Sequence, residues 1–199
     1  ALVAGGAGAQ SKALQALARM DTARQVGQMT QVDISMVLTN GALDKGKLGE
    51  WLTKYHVGSI LNSPAAGSCG TGWTAPEWRA FVTEVQAEAQ RLGEPPVLFG
   101  IDSVHGANYV RGATIFGQQI NLGASFDRNL TRLVGAATAR DSLAAGLSWL
   151  FSPILGLATQ PSWPRVYETF GEDPFLSAEL GVAIIEGIQG DVGDAELPR

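Results

Sequence analysis

Asp102 ends a run of apolar strand formers, Val97 to Ile101, and His105 follows in the turn Ser103-Val104-His105-Gly106. A carboxylate placed where an apolar run stops is how an α/β enzyme presents a binding group at the mouth of its sheet. It can accept hydrogen bonds from two neighbouring hydroxyls of a ligand, or cap its own loop, or pair with an arginine. Arg165 offers a rigid planar fork of donors, suited to ligand oxygens and equally to Glu168 or Asp173. Trp163 and Tyr167 flank it with aromatic faces that can wall a site or pack inward. Imidazole titrates near neutrality, yet His105, three residues past the strand end, more simply orders its loop. Asn108 and Arg111 either line the same mouth or tie down the long segment that follows. Glu168, Glu172 and Asp173 are close enough in sequence to suggest an acid pair. However, Asp173 before Pro174 reads as a helix N-cap and Glu172 complements a helix N-terminus, so no catalytic residue is assigned. His56 and His105, 49 positions apart, and the single Cys69 form no metal-binding spacing, so neither a metal nor an organic cofactor is expected.

The elements that must position these groups alternate. Val57 to Leu61 runs into Asn62, Val97 to Ile101 into Asp102, and Leu147 to Phe151 into Ser152-Pro153. Short runs that stay apolar fit parallel strands covered on both faces. Met29 to Val32 is a doubtful first strand. Between the strands lie helices with legible ends. Asp44 caps one with Leu48, Trp51, Leu52 and Tyr55 on one face and Glu50 paired with Lys54 outside. Thr74 and Glu77 form a capping box for a second, with Trp78, Phe81, Val82, Val85 and Ala89 inward and Gly93 as its stop. Asp127 opens a third, whose buried stripe is Leu130, Leu133, Val134 and Ala137, ending at Gly146. Asp173-Pro174 opens a fourth, with Leu176, Leu180, Ala183, Ile184 and Ile188 inward and Gly190 after it. An earlier helix spans roughly Ser11 to Gln28, restarting at Asp21-Thr22 with Gln25 as boxing partner. His56, before a strand, is expected to serve as a C-terminal dipole partner.

Alternation of this kind implies parallel strands joined by right-handed crossovers. The expected fold class is α/β: the first part of a (β/α)8 TIM-type barrel, three to four parallel strands alternating with helices, shorter than the about 250 residues of a whole barrel. The domain reading is a flexible N-terminal segment over 1–10, then 11–199 as the N-terminal part of one barrel domain, with the rest of the barrel and a second domain outside this chain. The 199 residues are 45% hydrophobic, enough for a real core, and the net charge of −5 without a basic stripe argues against nucleic acid. No apolar stretch reaches the roughly 18–20 residues that cross a bilayer, so no membrane partner is expected. The small, Gly/Ala-rich start, Ala1 to Gln10, looks like the tail of a secretory signal, and the expected location is secreted or extracellular.

Several motifs, in order, resemble glycoside hydrolase family 3. They are Val26-Gly27-Gln28-Met29-Thr30-Gln31, Gly58-Ser59-Ile60-Leu61, Gly100 to Gly106 continuing through Asn108 to Gly112-Ala113-Thr114-Ile115-Phe116, Asn121-Leu122-Gly123-Ala124, and Trp163 through Pro174. The resemblance runs from about Leu14 to Gly190, and the Ile101 to Gly106 turn is similar to the β-glucosidase and glucan exohydrolase branch. It implies a (β/α)8 barrel followed by a second domain, and a retaining, exo-acting β-glucosidase or β-glucan hydrolase that releases glucose from non-reducing ends. The implied substrate-binding residues are Asp102 and Arg165, which would hold sugar hydroxyls, with Trp163, Tyr167 and His105 around them. The nucleophile and general acid would come from the remaining part of the same enzyme, a partner to this chain, and the ligand would be a β-glucoside or β-glucan oligosaccharide. The isolated fragment is expected to be inactive. The pattern departs at Gly117-Gln118 for the usual Pro-His and at Pro164 for Gly, where proline removes an N–H. Two other readings stay open: a non-catalytic carbohydrate-binding half-barrel, and a small flavodoxin-like ligand-binding domain using the Gly-rich piece 66–72 as a phosphate cradle.

Overall fold

A computed structural model of the chain describes residues 13–64 and 72–190. The readings placed on 1–10 and on most of the Gly-rich piece 66–72 lie outside the described residues. The chain forms two compact units, one of residues 1–61 with 85–98 and the other of 62–84 with 99–199.

In the first unit a short helical stretch over 13–17 leads to α1 (Thr22–Gln28), capped by Asp21, whose carboxylate accepts from the Arg24 N–H. Gln25 does not complete a capping box; its side-chain amide donates back to the Met20 carbonyl. The doubtful first strand is real and sits slightly later, as β1 (Gln31–Asp33). It pairs in parallel with β4 (Ser59–Leu61), Val32 opposite Ile60. Asp33 caps a 3-10 turn over Ile34–Val37, which leads into a hairpin of β2 (Leu38–Thr39) and β3 (Ala42–Leu43). That hairpin was not anticipated, although Asn40-Gly41 at its tip, both with positive φ, is the dipeptide that two-residue hairpins favour.

Helix α2 (Lys45–Thr53) starts where expected, with Asp44 accepting from the Gly46 and Lys47 N–H groups, and buries Leu48 and Leu52. Glu50 and Lys54 pair at 2.9 Å on its outside. Tyr55 is not part of the buried face but stands 45% exposed against the Trp51 ring. His56, two residues beyond the helix C-cap, adopts φ of 54°, and its Nδ1 lies 3.7 Å from Glu94, whose carboxylate also receives both arms of the Arg24 guanidinium. Val32, Leu48, Leu52, Ile60, Val85, Ala89 and Val97 fill the unit's core. Gly58 is required here because a Cβ would collide with the Gln28 carbonyl of the incoming chain.

Helix α3 (Ala75–Leu92) and strand β5 (Leu98–Ile101) contribute residues to both units. Leu98 donates to Gly58 within the first unit, and Asn62 donates to Gly100 within the second. In the second unit Trp73, Trp78, Phe81 and Phe99 form a cluster of edge-on and tilted rings, with Trp78 fully buried. β5 pairs in parallel with β6 (Trp149–Leu150), Ile101 opposite Leu150. The ladders are shorter than the apolar runs: Val57, Val97 and Leu147 are buried but lie just outside them. Within each unit the pairing is parallel, β1 with β4 and β5 with β6, as the alternation of strands and helices implies.

After α4 (Gln119–Ser125), helices α5 (Arg128–Ala144) and α6 (Pro174–Gln189) pack side by side. Asp127 and Asp173 cap them as expected. Of the stripe assigned to α5, Val134 is buried as expected and the two leucines are not. Leu130 and Leu133 are 44% and 62% exposed, and the buried side is Thr131, Val134, Gly135, Thr138, Ala139 and Ser142. The reason is backbone proximity. A Cβ on Gly135 would strike the Ile184 carbonyl, and one on Gly187 the Arg132 carbonyl, so small residues and self-bonded hydroxyls face the partner helix where leucines would not fit. Thr138 satisfies its buried hydroxyl on the Val134 carbonyl at 2.8 Å. Gly187→Ala should therefore cost about 1–3 kcal/mol by overpacking; the urea midpoint measures this, and an unchanged midpoint would mean the helices are not held this closely.

Candidate active site

The second unit brings a set of polar side chains together at the carboxyl ends of its strands. Ile101, fully buried, closes β5, and Asp102 follows half-buried. The next residues are tightly held. Ser103 is buried and its hydroxyl receives that of Ser142 at 3.3 Å. The Asn108 amide, with its nitrogen turned inward, donates to the carbonyls of Asp102 and Gly106 at 3.0 Å each. Gly106 has φ of 98° and lies against the Thr114 carbonyl, a place no other residue could take. His105 and Phe116 hold each other: the Phe116 N–H donates to the His105 carbonyl at 2.8 Å, and Nδ1 of His105 lies 3.0 Å from the Phe116 carbonyl. A carbonyl can only accept, so Nδ1 carries a proton and donates it to this bond.

Arg165 stands where a 3-10 turn over Val166–Glu168 begins. Its Nε donates to Oε2 of Glu168 at 2.7 Å, and a terminal nitrogen lies 2.5 Å from the same oxygen in an ion pair. Glu168 has a side chain only 13% exposed, while Arg165 is 51% exposed. The brace is therefore inside and the donor fork faces out. The turn is itself fixed from below, because α4 approaches so closely that a Cβ on Gly123 would collide with the Phe170 carbonyl. The Trp163 indole lies over Gly156, where a Cβ would come within 2.6 Å of the ring. Tyr167 is 49% exposed.

Electrostatics tie these groups into one site. Burial pushes the Asp102 carboxyl up from its ordinary value of 3.8; Arg165 pulls it down and Glu168 pushes it up, and the net direction is up. Arg165 is held charged first by its hydrogen bond to Glu168, with Asp102 and Tyr167 adding to it. Tyr109, which the sequence did not single out, is also pushed up, by burial and then by Asp102 and Glu168. Its backbone is pinned by the indole N–H of Trp78, which donates to the Tyr109 carbonyl at 3.0 Å. No spacing in the sequence marks it, because its nearness to two carboxylates is set by how the loop closes.

Of the predicted residues, Asp102 and Arg165 share one electrostatic environment with Glu168 and Tyr109. His105 is committed to its loop on one nitrogen, and Arg111 is drawn to Glu77 at 3.3 Å as its N–H bonds the Trp73 carbonyl. Asp173 is occupied as a cap. Among the described residues no three His, Cys, Asp or Glu side chains are grouped to hold a metal.

A half-buried carboxylate and a guanidinium braced by Glu168 lie beyond parallel strands, and in α/β barrel enzymes the carboxyl ends of the strands are where sites are built. Residues 13–195 match the family model for the N-terminal domain of glycosyl hydrolase family 3, and the chain belongs to that family. It is 35% identical over 182 residues to a lysosomal beta glucosidase of Dictyostelium discoideum, covering 87% of this chain and 22% of that protein. It is 26% identical over 174 residues to a periplasmic beta-glucosidase of Salmonella typhimurium, covering 87% and 20%. The crystal structure of an exo-1,3/1,4-beta-glucanase from a Pseudoalteromonas species superimposes with a TM-score of 0.79 at 32% identity, over 94% of this chain and 23% of that one. The chain thus spans about a fifth of the length of these relatives.

The raised Asp102 value has a consequence for stability. The folded state holds the Asp102 proton more tightly than the unfolded chain, so this contribution is full below 3.8 and is lost as pH rises through the raised folded value. Asp102→Asn should melt above the wild type at pH 7 and together with it below about pH 3.8. A melting point lowered at pH 7 would contradict the burial cost.

Proposed function

We propose that this chain supplies part of the sugar-binding subsite of a retaining, exo-acting β-glucosidase or β-glucan hydrolase. The observation that carries this reading is the Asp102 carboxylate and the Glu168-braced Arg165 fork acting on one another at the carboxyl ends of the strands. An ionised Asp102 accepts from two vicinal hydroxyls of a terminal glucosyl ring, and the outer face of Arg165 donates to ring hydroxyl oxygens. Trp163 and Tyr167 supply surfaces for the sugar's C–H faces, and His105 keeps the loop behind Asp102 in place. Retaining hydrolysis needs two carboxyl groups about 5–5.5 Å apart across the scissile bond. Asp173 is bound as a helix cap and Glu168 by Arg165, and family membership supports a nucleophile and general acid supplied by the remaining part of the enzyme, this chain's partner. The names of the relatives support the substrate class, a β-glucoside or β-glucan oligosaccharide.

Two relatives are named for compartments reached by crossing a membrane, the lysosome and the periplasm, and this supports a location outside the cytosol. A net charge of −5 supports a reading without nucleic acid. No helix among the described residues is long and apolar enough to cross a membrane.

Each hydrogen bond to a charged group contributes about 1.5–3 kcal/mol. In the enzyme that contains this chain, Asp102→Asn should lower kcat/KM for an aryl β-glucoside by roughly a hundredfold or more with the fold unchanged. Full activity would remove Asp102 from the site, and sugar binding without turnover in the wild type would favour a non-catalytic binder. Because the ionised carboxylate is the acceptor, KM should rise on the acid side as pH falls through the raised Asp102 value. Glu168→Gln, which leaves the Arg165 fork loosely held, should raise KM about tenfold with a smaller change in kcat. An unchanged KM would show that Arg165 needs no brace.

A further inference from the structure

We propose that Asn129 is an N-glycan acceptor and that its glycan covers the apolar face of α5 that the fold leaves in water. The inference rests on the location outside the cytosol proposed above, by the kind of secretory route a lysosomal enzyme follows, and not on the glucoside site. Asn129-Leu130-Thr131 is an acceptor tripeptide, and none of Asn40, Asn62, Asn108 or Asn121 has Ser or Thr two residues on.

Its surroundings argue for use. Asn129 is the second residue of α5 and exposed; its backbone N–H is taken by the Asp127 carboxylate at 2.9 Å, and its side-chain amide makes no hydrogen bond among the described residues. One turn further on, Leu133 shares its side of the helix and is 62% exposed, Leu130 is 44% exposed, and Phe126, just before the helix, 75%. These are the side chains that the close packing of α5 on α6 turns outward. Large apolar side chains exposed this near one another in the chain are a feature that soluble proteins seldom leave bare when they gather into a patch. A bulky, strongly hydrated group anchored at Asn129 stands over it.

Thr131 is fully buried and its hydroxyl donates to the Asp127 carbonyl at 2.8 Å, so transfer must precede packing of the helix, on the nascent chain. The chemistry is glycosyl transfer from a lipid pyrophosphate oligosaccharide. The Asn129 amide nitrogen forms a bond to the anomeric carbon of the first N-acetylglucosamine, losing a proton, while the bond from that carbon to the pyrophosphate oxygen breaks and the lipid pyrophosphate departs with the electron pair. Once α5 folds, the exposure of Asn129 leaves the glycan in solvent.

The test is secretion of the full chain behind a heterologous leader from a eukaryotic host, followed by intact-mass and peptide analysis. The expected result is a glycan mass on the peptide containing Asn129, released by an amidase that leaves Asp at 129. It should be lost in Asn129→Gln and in Thr131→Val and retained in Thr131→Ser. The glycosylated protein should also bind an apolar dye severalfold less than the amidase-treated protein. Secreted chain carrying unmodified Asn129 would overturn the acceptor assignment, and equal dye binding before and after release would overturn the covering role. Neither readout uses glucoside turnover, so failure here and failure of the glucosidase reading are separate results.

Discussion

Withdrawing a carboxylate from water is unfavourable unless something opposes its charge, and Asp102 is half withdrawn at the end of β5. The second carboxylate in its field, Glu168, makes matters worse, and so does the phenol of Tyr109 if it ionises. The Arg165 guanidinium acts on both carboxylates. Arg165 spends its Nε and one terminal nitrogen on Glu168, which leaves Asp102 with attraction but less than full compensation, and its carboxyl stays raised. A site in this condition lacks donors. Under the function proposed above, the hydroxyls of a sugar ring would be the donors that satisfy this acceptor.

The surrounding structure is arranged to keep that shortage in place. Asp102 cannot retreat, because Ile101 before it and Ser103 after it are buried, and the Asn108 amide holds its carbonyl. Nor can Arg165 swing freely inward, since Glu168 is set by a turn resting on α4 through the missing side chain of Gly123. The helix pair α5 and α6 buries Thr131, Thr138 and Ser142 against α6 and the strand end, with Ser142 reaching Ser103 beside Asp102. Close packing of small residues thus extends from the helix layer to the residue next to the candidate ligand group.

Much of this was legible in the residues. Asp44, Asp127 and Asp173 announced their helices because N-capping is local chemistry that needs no tertiary context. The parallel strands were legible because apolar runs ending in polar residues report burial on both faces. The two leucines of the α5 stripe were misread for the opposite reason: leucines at helical spacing look inward-facing, and only the carbonyls of a neighbouring helix show that the glycine and threonine side is the one that fits. The Asn40-Gly41 hairpin carried a plain signal that was passed over. The strand-end position of Asp102 and the fork of Arg165 were visible in the sequence, whereas the Glu168 brace was one of two options and Tyr109 was invisible, because a phenol's distance from two carboxylates is set by how loops close and not by spacing.

The central claim is that Asp102 and Arg165 grip one sugar ring. A crystal structure of the enzyme containing this chain, with a bound β-linked diglucoside, tests it directly. The account predicts both carboxylate oxygens of Asp102 and at least one nitrogen of Arg165 within about 3.2 Å of hydroxyls on the terminal ring, with Glu168 still holding Nε. A terminal ring bound without contact to either side chain would contradict it.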